Sequence, residues 1–74
     1  MSWEEISDGH YMRSTGRLAL IIEDKEGCWR WKVVGPNFSI CDDDTGEYAR
    51  TKKQAKFYAE LNALNNALNN ALDS

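Results

Sequence analysis

An α+β fold, a three- or four-stranded antiparallel meander packed against one long C-terminal helix, is what this sequence predicts. Three observations predict it. Residues 17–23 alternate Leu18, Leu20 and Ile22 with Arg17, Ala19, Ile21 and Glu23. Residues 28–34 alternate Trp29, Trp31 and Val33 with Cys28, Arg30, Lys32 and Val34. A period of two marks a half-buried strand. After Thr51 the period changes: Phe57, Leu61, Leu64, Leu68 and Leu72 gather on one side of a helical wheel.

The elements follow in order along one domain, residues 1–74. Residues 1–16 read as an N-terminal turn or short strand, 17–50 as the sheet and 51–73 as the helix. Ser2 with Glu5 fits a capping box for one helical turn, and a short strand fits the same residues equally well. Asp8-Gly9 signals a turn, residues 10–13 a short strand, and Ser14-Thr15-Gly16 the next turn. Asp24-Lys25-Glu26-Gly27 has the length and glycine of a hairpin loop between the two alternating strands. Gly35-Pro36-Asn37 breaks the second of them, because proline cannot donate a ladder hydrogen bond. Phe38 to Cys41 can form a further strand with Phe38 and Ile40 inward. Asp42 to Gly46 reads as a solvated acidic loop, and Glu47 to Arg50 as another short strand or an extended lead-in. Thr51-Lys52-Lys53-Gln54 fits a T-x-x-Q capping box at the helix start. The stripe of Phe57, Leu61 and Leu64 is expected to cover the sheet.

A 74-residue chain buries a small core and usually draws support from disulfides, a metal or a partner chain. Its two cysteines, Cys28 and Cys41, form no CxxC and cannot make a disulfide framework, and the single histidine, His10, is not spaced to join them. No metal and no cofactor is expected. Oligomerisation or a well-packed helix-on-sheet core is left as the support. The acidic start lacks the apolar run of a signal peptide, and the longest apolar run, residues 18–22, is too short to cross a membrane. A cytoplasmic protein with reduced thiols is expected, and no membrane partner.

Candidate sites are few. Asp42-Asp43-Asp44 fails the calcium-loop pattern, since the sixth position is Glu47 and the twelfth Lys53. His10 has no serine or cysteine spaced to be its nucleophile, so no catalytic residue is assigned. The net charge of −3 argues against a general nucleic-acid binder. Its distribution keeps that class open. With the tryptophans facing the helix, Arg30 and Lys32 face outward beside Arg17, and three cations on one sheet face could track phosphates. The bland reading is that long cationic side chains decorate an open sheet and discourage edge pairing.

The strands followed by "GEYARTKKQAKFYAE" resemble the AP2-like arm-binding modules at the N-termini of tyrosine recombinases, over about residues 17 to 64. Gly46, Tyr48, Thr51 and Ala55 carry the likeness to that family's lead into its helix. The resemblance implies DNA binding through the outer sheet face, with Arg17, Arg30 and Lys32 facing the DNA. In size and layout the chain is also similar to short accessory proteins of phages and prophages, which implies a stand-alone binding or inhibitory role.

The helix, at about 1.5 Å per residue, should outrun a seven-residue strand. Leu64, Leu68 and Leu72 on the overhang are too apolar to stand in water as a row, so either the N-terminal segment (Trp3, Ile6, Tyr11) folds beneath them or another chain does. Spacings of four and three suit a short helix–helix contact, with Asn65 and Asn69 bordering the row. Asn62, Asn66 and Asn70 fall opposite the leucines and are expected to face solvent. The expected function is a small non-enzymatic binding protein acting through protein–protein contacts, a phage-type accessory or inhibitor. It would be a homodimer through Leu64, Leu68, Leu72, Asn65 and Asn69, with a host or phage protein as further partner. DNA binding is the alternative.

Overall fold

A computed structural model describes residues 3–73, and side-chain surroundings for residues 3–66. Leu68, Asn69 and Leu72 of the expected interface, and Ser2 and Asn70, lie outside the residues whose side chains are described. Five strands form one antiparallel meander in sequence order: β1 (Glu4–Ser7), β2 (His10–Thr15), β3 (Leu18–Lys25), β4 (Cys28–Val34) and β5 (Ser39–Cys41). A single helical turn, α1 (Asp42–Thr45), leads through an extended segment to α2 (Lys52–Asp73). The class is α+β as the sequence predicts, with one or two strands more than expected. The extra count comes from the N-terminal region. All four residues of β1 are exposed, so no apolar alternation marks it. In β2 a tyrosine and an arginine, Tyr11 and Arg13, take the inward positions opposite Ile22 and Leu20.

Local chemistry sets the connections. β3 runs on to Lys25, so the β3–β4 turn shrinks from the four residues expected to Glu26-Gly27, with φ of 52° and 84°. Positive φ at both positions matches the twist of the flanking strands, which makes this the favoured two-residue hairpin. The register pairs Ile22 with Trp31 and Leu20 with Val33, so these four side chains share the inner face. Trp29 pairs further on with Ala49, its N–H donating to the Ala49 carbonyl at 3.2 Å. The segment before α2 is thus an extended lead-in held to β4 by one bridge. At the helix start the Gln54 N–H donates to Thr51 Oγ1 (3.1 Å), and the Gln54 side chain accepts from the Arg50 N–H (2.9 Å). The return arm of the capping box reaches one residue further back than the motif implies.

The core is Leu20, Ile22, Trp31 and Val33 from the sheet with Ala49, Ala55, Ala59 and Ala63. This overturns the expected face of α2. The helix meets β3 and β4 through alanines spaced by four, not through Phe57, Leu61 and Leu64. Phe57 and Leu64 are exposed and Leu61 is half-buried. The physical reason lies in the sheet. Two tryptophans and a tyrosine already fill the inner face, so the helix fits closely only by offering small side chains at native packing density. Asn62, expected in solvent, sits on the buried side and donates to Glu47 Oε1 (3.2 Å) and to the Tyr58 carbonyl (2.8 Å). Asn66 is half-buried on that side as well. The Trp31 indole N–H donates to the Glu47 carbonyl at 2.7 Å, tying the lead-in to the core.

The N-terminal strands cover the proximal half of the helix. Trp3 Nε1 and Arg13 Nη1 both donate to Glu60 Oε1, at 2.9 and 2.8 Å. The ammonium groups of Lys52 and Lys56 lie 4.6 and 5.6 Å from the centre of the Tyr11 ring. Cation–π contacts of this kind orient long side chains more than they stabilise.

Candidate protein interface

α2 has two faces of opposite character. At 100° per residue, Ala55, Ala59 and Ala63 span one side, and Phe57 and Leu64 stand on the other. The inward side is covered: Ala55 and Ala59 have no exposed surface. On the outward side Phe57 is 58% exposed and Leu64 59%. Asn65, read as a border residue, is exposed too. Two large side chains seven positions apart lie on one line, two turns from each other. Large exposed hydrophobics scattered singly need no explanation, and an aligned pair on an uncovered helix face is a candidate contact surface.

A cleft of about 460 Å³ lies beside this row, between the β2–β3 turn and the helix. Arg13, Arg17, Leu18, Glu60, Ala63 and Leu64 are among its walls. Arg17 belongs here because it sits in the turn with Gly16, outside β3. The three cations read onto one sheet face therefore do not meet. Arg17 is some six residues along the strand from Glu23, the partner of Arg30, a separation of about 20 Å.

Lys32 is exposed on the outer sheet face, in a row with Met12, Ile21 and Cys41. Arg30 is turned to α1. Its Nε donates to Asp42 Oδ2 at 2.6 Å, and Nη2 donates to Asp42 Oδ1 and to Asp43 Oδ2, each at 2.8 Å. Here the acidic triplet departs from the solvated loop expected: it forms α1, and Asp42 is 1% exposed. The Cys41 N–H donates to the Asp44 carboxylate at 2.9 Å, and Gly46 ends the turn in the left-handed region at φ 77°. Tyr48 completes the cluster by donating to Asp43 Oδ1 at 3.0 Å.

Electrostatics bind this cluster to itself. Burial alone would push the Asp42 carboxyl up. The hydrogen bonds and charge of Arg30, with backbone N–H groups of Asp43 and Trp31, outweigh it and hold the carboxyl below its usual value. The same contacts raise Arg30. The Tyr48 hydroxyl is raised by its bond to Asp43 and by that carboxylate's charge. The Cys41, Asp42 and Asp43 ligand atoms lie within 4.8 Å of one another, but both Asp42 oxygens are committed to Arg30. Chemically the group is a bidentate clamp between β4 and α1. On the same sheet face His10 Nε2 lies 2.6 Å from Glu23 Oε2. Its pKa is raised by the Asp8 carbonyl first and by Glu23 next.

Among the described residues, no helix is long and apolar enough to cross a membrane. Compared with known protein families, with curated proteins and with solved structures, the chain matches none of them. Its class is therefore defined by architecture alone: a five-stranded meander whose single long helix is docked through alanines and keeps larger side chains outside.

The alanine spacing was a readable signal. Ala55, Ala59 and Ala63 recur every four residues opposite the leucine row, in a chain whose strands carry Trp29 and Trp31. Large side chains on a sheet call for small ones on the helix that covers it. The Arg30–Asp42 pair had no such signal, because it joins a strand residue to one in a turn twelve residues further along, in a register set by β5.

Proposed function

We propose that this is a non-enzymatic binding protein that acts through protein–protein contacts, with the outward face of α2 as its docking surface and a second copy of itself as first partner. The observation that carries the reading is the pair Phe57 and Leu64, exposed two turns apart on the side of the helix that the sheet does not use. A cytoplasmic accessory or inhibitory role, with a host or phage protein as further partner, is what the likeness to small phage proteins adds. The competing reading, DNA on the outer sheet face, is weakened by two placements: Arg30 is closed on Asp42, and Arg17 stands off that face.

Sedimentation equilibrium or light scattering tests it. Wild-type protein should show a mass rising to that of a dimer by about 0.5 mM, where even a weak interface associates. Phe57→Asp combined with Leu64→Asp should give a monomer with an unchanged far-ultraviolet spectrum. A wild-type chain that stays monomeric while shifting duplex DNA at low salt, with a salt slope reduced in Arg30→Ala/Lys32→Ala, overturns the reading in favour of nucleic acid.

A further inference from the structure

We propose that the cleft between the β2–β3 hairpin and α2 is a binding site for an apolar monocarboxylate, whose head is taken by Arg13 and Arg17 and whose body fills the gap between sheet and helix. The proposal goes beyond the reading of α2 as a docking surface and stands whether or not the chain self-associates.

Arg13 carries the argument. Its Nη1 donates to Glu60 Oε1 at 2.8 Å, the oxygen that also accepts from Trp3 Nε1 at 2.9 Å. Its Nε is buried and has no hydrogen-bond partner among the described residues. A buried donor left without a partner is costly, and each one calls for an explanation. Nη2, the other half of the same edge, makes no hydrogen bond among the described residues either. Nε and Nη2 form the fork that matches the two oxygens of a carboxylate. Arg30 shows that fork in use within this chain, where Nε and Nη2 donate to Asp42 Oδ2 and Oδ1 at 2.6 and 2.8 Å. Arg13 presents the same fork with no protein group in it. Its side chain is 29% exposed and lines the cleft, so a ligand there can reach it. Because Glu60 already holds the guanidinium, little side-chain freedom is lost on binding.

The rest of the cleft defines the ligand. The register sets Arg13 opposite Leu20 and Thr15 opposite Leu18, on the inner face of the sheet. From the helix this space meets Ala63, whose small side chain does not close the gap, and Leu18 stays half-buried. The cleft's volume, about 460 Å³, falls within the roughly 300–1,000 Å³ of small-molecule sites. Arg17, exposed in the turn, has no ion-pair partner among the described residues. Two guanidiniums against the single carboxylate of Glu60 leave these walls with one positive charge in excess. That balance suits a monoanion, whereas a doubly charged phosphate ester would be opposed by Glu60. Leu18, Leu20, Ala63 and Leu64 supply the apolar walls for a body behind the charged head.

Titration of the isotope-labelled chain with octanoate, followed by heteronuclear NMR, tests the site. Octanoate at up to about 10 mM, enough to load a site of millimolar affinity, should saturably shift the amides of residues 13–18 and 60–64 and the Arg13 Nε–H signal. Octanol has the same body without the charge, and acetate the head alone; each should bind about ten-fold more weakly or worse. Ala63→Leu fills the cleft and should abolish binding while the fold is kept. Arg13→Lys keeps the charge but removes the fork, and should lose about ten-fold. Arg17→Gln, a change in an exposed turn, should lose about five-fold at low salt and less as salt rises. No saturable shift with octanoate overturns the proposal. So does octanol binding as tightly as octanoate, octyl phosphate binding more tightly, or unchanged binding in Ala63→Leu.

Discussion

The two sides of α2 divide apolar residues in the reverse of what their hydrophobicity alone suggests. The side against the sheet carries Ala55, Ala59 and Ala63, and the side facing away carries Phe57 and Leu64. Ranked by transfer free energy the larger residues belong inside, since each would gain about 2 kcal/mol on full burial and alanine far less. Space decides otherwise. Trp31, Leu20, Ile22 and Val33 fill the inner face of the sheet, with Trp29 and Tyr58 packed against them, and Trp31 and Tyr58 meet ring to ring at 6.5 Å. The apolar volume of the core comes from the strands, and the helix contributes a smooth surface that lets the backbone approach.

The largest expected effect breaks this comparison on the inner side. Ala59→Leu adds a branched side chain where no exposed surface remains. It should cost about 3 kcal/mol, read as a lowered denaturant midpoint with an unchanged slope. The same leucine placed outside, already present as Leu64, costs the fold nothing. A smaller effect contrasts α2 with α1, which is held by charge instead of packing. The Asp42 carboxyl is depressed in the folded chain, so its contribution to stability is present above the ordinary carboxylate range and is lost as pH falls through the folded value. Asp42→Asn should lower the thermal midpoint by several degrees at pH 7. The gap should narrow as pH falls below the ordinary carboxylate range and through the depressed value of the folded chain, where the wild-type carboxyl becomes protonated as well. The smallest effect sharpens the boundary between the faces of α2. Ala63 is one turn beyond Ala59 but opens on the cleft of about 460 Å³. Ala63→Leu should therefore change stability by under about 1 kcal/mol, because the new side chain has a place to go. A cost equal to that of Ala59→Leu would mean the alanine face is closed along its whole described length.

Much of the fold was legible because it depends on local patterns. β3 and β4 alternate over seven or eight residues, and Gly27 supplies a turn conformation that few other residues adopt. The T-x-x-Q box places the helix start at Thr51. β1 was barely legible, since a four-residue exposed edge strand has no burial pattern to read. The triplet Asp42-Asp43-Asp44 looked like a solvated loop because isolated carboxylates prefer water. The guanidinium of Arg30, brought over by the pairing of β4 with β5, together with the backbone N–H groups of Asp43 and Trp31, makes the burial of Asp42 tolerable. Of the candidate interface, the apolar row and its spacing were legible, while its direction was not.

By itself, then, the sequence determined that a meander precedes one long helix, that Trp31, Leu20 and Ile22 share a face, and that α2 bears an apolar row interrupted by asparagines. These follow from periods of 2 and 3.6 residues, which need no knowledge of neighbours. The tertiary structure alone decided which side of α2 meets the sheet, that Arg17 parts company with Arg30 and Lys32, and that Arg30 is spent on Asp42. Each of these depends on volumes and charges from distant segments competing for one place. A helix with two apolar stripes satisfies its own pattern in either orientation, and the bulk already present on the sheet selects the smaller.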